Sequence, residues 1–282
     1  MILVTGANGT VGGEIARQLV AAGHVVRALV RSQAKAAALP GAVEIALGDF
    51  ADTDSLARAV AGVDAIYMTS FESPEMSVLQ GNLIAAARTA AVRVVVRLSG
   101  MGAHAGARET LMRDHGLCDR QLSESGLGYV LLQPNWFYQN FPHYFPGGVM
   151  RLPVGSGRAS LVDVRDIAAV AVAALMDPRH LGKAFVPTGP EALSHAEVAR
   201  ALSQITGGRF VFEDVTDEAW RAEAIESGWD PPDADTLIEL FRLIRGGSMA
   251  EVTDDVQRVT GRPPIAFAAY ARAAAETLCE QL

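Results

Sequence analysis

The sequence predicts a doubly wound parallel α/β sheet carrying a small, mostly helical C-terminal lobe. Short apolar runs alternate with helix-length, alanine-rich stretches over the first half of the 282 residues. A glycine-rich turn follows the first of those runs, and after Pro134 the alternation breaks up among prolines and glycines. Regular alternation of this kind calls for right-handed βαβ crossovers, which place helices on both faces of a parallel sheet.

Each element follows from its own residues. Ile2–Thr5, Val25–Val30, Val43–Leu47, Ala65–Met68, Val94–Ser99 and Tyr129–Gln133 are brief and nearly continuous in apolar character, as strands buried on both faces must be. Between them, Val11–Ala22, Gln33–Leu39, Thr53–Val60, Met76–Ala90 and Arg108–Ser125 read as helices. Pro142, Pro146, Gly147, Gly148, Pro153, Gly155 and Gly157 then interrupt a connecting region. A helix is predicted over Val164–Met176 and a strand over Ala184–Pro187. Ser194 and Glu197 form a capping box that opens a helix ending at Gly207. Helices at Asp217–Ser227, Ala234–Ile244, Glu251–Val259 and Phe267–Glu280 complete the chain. The expected organisation is a first domain over 1–150 and a substrate-binding lobe over 151–282, with 163–187 returning to the first domain. A substrate is expected in the crevice between them, at the carboxyl ends of the strands.

Composition excludes several function classes. With 50% hydrophobic and 20% charged residues, the chain builds its core without staples. Two cysteines, Cys118 and Cys279, rule out a disulfide framework and a Cys-based zinc site, and suit a reducing, cytoplasmic setting. The apolar run Ile167–Met176 is half the length of a membrane span, and a strand starting at Ile2 leaves no room for a signal peptide. No membrane partner is expected. Lys and Arg total 24 against 32 Asp and Glu, a net charge of −8. Ten acidic residues stand between Glu213 and Glu239 against Arg221 alone, so the rest of the chain is close to neutral. No basic stripe remains for nucleic acid. The acidic stretch reads as a solvated helical surface.

The first turn carries the clearest motif. Thr5-Gly6-Ala7-Asn8-Gly9-Thr10-Val11-Gly12 ends the first strand and opens the first helix. Glycines at 6, 9 and 12 permit a tight turn, close backbone approach to a pyrophosphate, and close helix–strand packing. Free N–H groups at the helix start then meet the phosphates, with Asn8, Thr10 and Val11 beside the glycines. This makes the fold Rossmann-type. Arg31 ends the second strand, where an acidic residue would select NAD; a guanidinium there suits the 2′-phosphate of NADP, and Lys35 adds a second charge one turn on. The expected cofactor is NADPH. Asp49 and Phe50 follow the third strand and suit the adenine, although a helix-start acid and a core ring read almost as well. Thr69, Ser70 and Phe71 end the fourth strand, near the ribose and pyrophosphate.

These residues resemble the NmrA-like branch of the atypical short-chain dehydrogenases/reductases. TGANGTVGG at Thr5–Gly13, ALVRS at Ala28–Ser32, Gly48-Asp49-Phe50, LSGMGAH at Leu98–His104, QPNWFYQN at Gln133–Asn140 and VDVRDIA at Val162–Ala168 carry the likeness, which fades after Gly208. Within that branch the chain is similar to flavin-free quinone reductases, azoreductases and triphenylmethane dye reductases. The resemblance implies a Rossmann-type cofactor domain and direct hydride delivery without a flavin; no metal is expected, since His115 and Asp119 have no third ligand beside them. Ser99 and Gly100 after the fifth strand, with Asn135, are expected at the cofactor, and Met101 and His104 at the substrate. Asn135 reads equally as a hydrogen bond to a substrate heteroatom or a cap on the turn after Pro134, and His104 is a weaker alternative proton donor to His115.

The usual acid of the wider family is missing. A Tyr-x-x-x-Lys pair lets the lysine lower the tyrosine pKa for acid–base work. Here the residues four beyond Tyr67, Tyr129, Tyr138, Tyr144 and Tyr270 are Phe71, Gln133, Pro142, Gly148 and Ala274, and the chain's lysines are Lys35 and Lys183. His115 and Asp119, four apart on one helix face, offer an oriented imidazole, a metal half-site or a plain surface pair. His115 and Tyr138 are the candidate proton donors. Six of the 18 aromatic residues fall between Trp136 and Phe145; Trp136, Phe137, Tyr138 and Phe141 are expected to stack on a planar acceptor and exclude water, or else to plug the junction with the lobe. The function these features imply is an NADPH-dependent, flavin-free reductase of a planar conjugated acceptor such as a quinone or azo dye, working as a monomer or small homo-oligomer. A non-catalytic NADP redox sensor acting through a protein partner is the alternative.

Overall fold

The computed structural model describes residues 1–36, 39 and 41–280. Six strands alternate with helices as their apolar runs require: β1 (Ile2–Thr5), β2 (Val26–Val30), β3 (Glu44–Leu47), β4 (Ala65–Met68), β5 (Val94–Leu98) and β6 (Gly128–Leu132). The intervening helices are α1 (Thr10–Ala21), α2 (Gln33–Ala36), α3 (Thr53–Val60), α4 (Met76–Thr89) and α5 (Thr110–Ser123). The stretch through which α2 was expected to continue includes 37–38, outside the described residues. After α6 (Phe141–Tyr144), the short strands β7 (Val149–Leu152) and β8 (Arg158–Ala159), and α7 (Val164–Met176), a seventh parallel strand, β9 (Lys183–Phe185), joins the sheet. Its order is β3-β2-β1-β4-β5-β6-β9, with every pair parallel.

Alternation along each strand sorts the core into two layers. Leu3, Leu29, Ile66, Met68 and Val95 turn to the face covered by α3, α4 and α5, where they meet Leu56, Leu83 and Leu122. Residues of the other parity turn to α1 and α7, which pack on each other. Burying a leucine or isoleucine there contributes about 1.5–3 kcal/mol each.

Two compact units divide the chain. The first comprises Met1–Pro134, Val164–Pro187 and Asp255–Arg262; the second comprises Asn135–Asp163, Thr188–Asp254 and Pro263–Leu282, of which 281–282 lie outside the described residues. The second unit is mostly helical: α8 (His195–Thr206), α9 (Asp217–Glu226), α10 (Pro231–Arg245), and α12 (Phe267–Ala273) and α13 (Ala275–Cys279), while α11 (Asp255–Thr260) belongs to the first unit. The capping box forms on α8, which ends at Gly207 in the left-handed region at φ 75°. Four strands in the second unit were not legible in the sequence. β7 pairs parallel with β11 (Val211–Asp214), and β8 pairs antiparallel with β10 (Leu193–Ser194). Two to four residues among prolines and glycines hold too little periodicity to register. The acidic stretch is mostly exposed, and part of its charge is paired at the surface: Glu213 and Glu223 with Arg151, Asp217 with Arg242 and Arg245, and Asp235 with Arg221. Among the described residues no helix is long and apolar enough to cross a membrane.

Candidate functional site

Strand order reverses between β1 and β4, and the carboxyl ends of these two neighbours open the crevice where doubly wound sheets bind ligands. The Thr5 hydroxyl stitches them together, donating to the Thr69 carbonyl at 2.6 Å and accepting from the Thr69 amide at 2.8 Å. Gly6 holds φ +61°, and a Cβ there would stand 2.5 Å from Thr69 Cγ2. A Cβ on Gly12 would run into the Gly6 and Thr5 carbonyl oxygens, so this glycine sets how closely α1 approaches β1. Gly9 is the N-cap of α1; no side chain caps that end and its first turn holds no acid. Its N–H groups and the positive end of the helix dipole therefore face outward beside exposed Asn8, Gly9 and Thr10, while Val11 is anchored in the core. The Asn8 side chain donates to the Lys35 carbonyl, tying the turn to α2.

Arg31 and Lys35 are both exposed just beyond β2, and among the described residues neither forms an ion pair. Two unpaired cations on this strand end fit a phosphate on the adenosine ribose. Asp49 is exposed and accepts from the Ala51 amide at 2.9 Å. Phe50 packs half-buried on the core and its carbonyl accepts from Asn82. Thr69 and Ser70 are half-buried, whereas the Phe71 ring is 82% exposed.

Behind this edge lies a buried polar network that sequence reading missed. Arg97 on β5 is fully buried, facing α4 and α5 in the same register as apolar Val95. Its Nε donates to Gln80 Oε1 at 2.7 Å, one terminal nitrogen to Asp119 Oδ1 at 2.5 Å, and the other to His115 Nδ1 at 3.1 Å. Asp119 Oδ2 accepts from Ser99 Oγ at 2.7 Å and from Gln133 Nε2 at 3.2 Å; Gln80 Nε2 reaches Ser70 Oγ at 2.9 Å. The signal was a single arginine inside the apolar run Val94–Leu98. His115 and Asp119 are therefore not a surface pair: they are 8% and 6% exposed and are held by the same guanidinium. His115 lies against the turn after β5, its Cδ2 3.7 Å from where a Gly100 Cβ would stand, and its Nε2 lies 3.9 Å from Glu72 Oε1.

Several expected site residues are engaged with the protein's own groups. The Ser99 hydroxyl donates to Asp119 inside the buried network. Asn135, in the second unit, donates to Ser160 Oγ and to the Met249 carbonyl and accepts from the Trp136 amide, so its side-chain amide is used in holding the chain. Tyr138 and Phe141 are buried inside that unit's own aromatic core, with Tyr138 5.2 Å from Phe267 and 5.4 Å from Tyr270. The Tyr138 hydroxyl donates to the Ile265 carbonyl at 3.4 Å. Both rings are enclosed by other side chains of the unit. Trp136 and Phe137 keep partly exposed rings. Met101 is buried, its amide on the Pro134 carbonyl, while His104 lies exposed on the loop after β5.

The two lysines lie in different parts of the first unit. Lys35 is on α2, and Lys183 begins β9 at the sheet's opposite, amino-terminal edge. Among the described residues no three of His, Cys, Asp and Glu gather as metal ligands.

Residues 6–178 match the NAD(P)H-binding family. The chain is 39% identical over 278 residues to the NAD(P)H azoreductase of Xenophilus azovorans, covering 97% of each. It is 34% identical over 286 residues to the (4-alkanoyl-5-oxo-2,5-dihydrofuran-3-yl)methyl phosphate reductase of Streptomyces griseus subsp. griseus, covering 100% of both. An NADPH-dependent quinone oxidoreductase from Escherichia coli, solved with NADPH, shares the fold with a TM-score of 0.87 at 24% identity, over 97% of this chain and 99% of that one.

Proposed function

The chain belongs to the NAD(P)H-binding family, among its NmrA-like quinone and azo reductases, and from that premise we propose that it is an NADPH-dependent reductase that passes hydride directly to a planar conjugated acceptor, without flavin. The observation that carries the reading is the pairing of an open glycine turn at the β1–β4 switch point with an ordered imidazole at the same edge of the sheet. Gly6, Gly9, Gly12 and the start of α1 bind the pyrophosphate; Arg31 and Lys35 take the 2′-phosphate; Asp49 and Phe50 flank the adenine. When bound, the dinucleotide supplies hydride. The protein supplies orientation, worth several kcal/mol of barrier, and a hydrogen-bond donor at His115.

A conjugated acceptor suits a chain with no Tyr–Lys acid, because its own π system spreads the incoming charge. The activities named for the two curated relatives, reduction of an azo compound and of an oxo-dihydrofuran, fit an acceptor of this kind. The test is NADPH oxidation by purified, flavin-free protein against quinones, azo dyes, triphenylmethane dyes and conjugated lactones, with NADH in parallel. Turnover favouring NADPH supports the reading. Tight NADPH binding without turnover of any acceptor overturns it and leaves a dinucleotide sensor.

A further inference from the structure

We infer that Arg97 locks His115 in the tautomer whose single proton sits on Nε2, so that the ring acts as a fixed, neutral hydrogen-bond donor to the acceptor and keeps its proton throughout. The functional half of this inference rests on the reductase reading above; the tautomer itself does not.

The argument starts from hydrogen-bonding capacity. A guanidinium has five N–H donors and no acceptor, so the 3.1 Å contact between Arg97 and His115 Nδ1 exists only if Nδ1 offers a lone pair. A neutral imidazole that accepts at one nitrogen carries its proton on the other. Arg97 has no freedom to release that lone pair: it is fully buried, with Gln80 and Asp119 holding its remaining nitrogens at 2.7 and 2.5 Å. Asp119 is in turn pinned by Ser99 and Gln133. The histidine is thus oriented through Arg97 on β5, which is held by residues of α4 and α5 and, through Asp119, by Ser99 and Gln133 just past β5 and β6.

Nε2 is the end that faces outward. Glu72 Oε1 lies 3.9 Å from it, beyond hydrogen-bond length, on a side chain 62% exposed. Among the described residues the imidazole therefore presents an N–H with no acceptor within hydrogen-bond length, at the carboxyl edge of the sheet between the turn after β5 and the loop after β4. Buried ion pairs add little net stability over apolar replacements, so orientation is the property this arginine contributes.

The chemistry balances without a proton from the ring. Hydride brings an electron pair to the acceptor, which is reduced to an anion as the dinucleotide is oxidised. The anion accepts a hydrogen bond from His115 Nε2–H and takes its proton from solvent water. Surrendering the ring proton would instead leave an imidazolate.

Two measurements test this on the whole protein. Long-range proton–nitrogen NMR of imidazole-labelled protein, with and without NADP, should show His115 protonated on Nε2 and bare at Nδ1. A spectrum showing the Nδ1–H form overturns the inference, whether or not any acceptor is turned over. In Arg97→Met, both tautomers should appear, and Arg97→Lys should restore part of the Nε2–H population. If Arg97→Met fails to fold, the wild-type spectrum and the His115 variants decide. His115→Gln keeps an acceptor and a donor but cannot ionise; His115→Phe keeps neither. We expect kcat to fall several-fold in His115→Gln and on the order of 100-fold in His115→Phe, with KM for NADPH unchanged in both. Equal losses in the two variants would mean that the ring gives up its proton, and the inference fails. If no acceptor is reduced, the reductase reading fails alone and the spectrum still decides the tautomer.

Discussion

Two histidines lie buried in opposite surroundings. His115, 8% exposed in the first unit, has Nδ1 on Arg97 and Nε2 turned outward. His195, 1% exposed at the start of α8 in the second unit, has no partner on either ring nitrogen and neighbours Phe141 and Phe212. Burial in that apolar setting pushes the His195 pKa down to about 4. Burial by itself expels charge, whereas burial with a matched partner fixes a tautomer and a direction. The residues that belong to a site are those whose polar atoms are all accounted for except one that faces out.

The largest effect should come from breaking the partnered side of that contrast. Asp119→Ala leaves the Arg97 guanidinium buried without its carboxylate and should cost about 3–5 kcal/mol of stability, read as a lower midpoint in urea. Arg97→Met combined with Asp119→Leu removes both charges and should recover most of that loss. A double variant no more stable than Asp119→Ala would show that the network holds the fold rather than orients the histidine.

The unpartnered histidine makes the next prediction. Its folded pKa, about 4, lies below the ordinary value of 6.5, so as pH falls the unfolded chain takes up the proton first. Stability from this group is complete above pH 6.5 and is lost between 6.5 and about 4, amounting to about 3 kcal/mol. His180, whose pKa burial also lowers, adds to the slope in the same direction. His195→Leu isolates the larger part: its unfolding midpoint should vary much less between pH 6.5 and 4.5 than the wild type's. Identical slopes would place His195 in water, against its burial.

Much of this was legible in the sequence, for local reasons. Strands, helices and the glycine turn are written in short-range periodicity and in positions only glycine can occupy. The capping box of Ser194 and Glu197 is three residues of local chemistry, and it forms as read. His115 and Asp119 were legible as a pair because α-helical spacing puts them together. Arg97 was not, since it joins them from 18 and 22 residues away through strand register, and a lone arginine in an apolar run says nothing of which face it takes. The aromatic run from Trp136 to Phe145 misled in the same way. Its composition suggests a substrate wall, but the turn and short helix it forms rotate Tyr138, Phe141 and Phe145 into the core and leave Trp136 and Phe137 nearer the surface.

A third prediction sets the exposed arginine beside the buried one. Among the described residues Arg31 forms no ion pair, and it costs the fold little to change, so Arg31→Asp should leave the urea midpoint within about 0.5 kcal/mol. Its effect belongs to the cofactor: kcat/KM for NADPH should fall about 10- to 100-fold, the worth of one charged hydrogen bond to phosphate, while NADH holds or improves. Parallel losses with both cofactors would take Arg31 out of the 2′-phosphate site and leave Lys35 to account for any preference.

The smallest effect is the one that separates the two units most cleanly. Tyr138 and His115 were both candidates to supply a proton, and only His115 has a polar atom facing outward. Tyr138→Phe removes a hydroxyl whose bond to the Ile265 carbonyl is long, at 3.4 Å, and keeps the ring against Phe267 and Tyr270. The expected cost is about 1 kcal/mol or less of stability. The pH profile of turnover and the KM for acceptor should match the wild type, because nothing in contact with the reacting atoms has changed. A change in either, with stability intact, would return the phenol to the reaction and require the second unit's aromatic core to open during turnover.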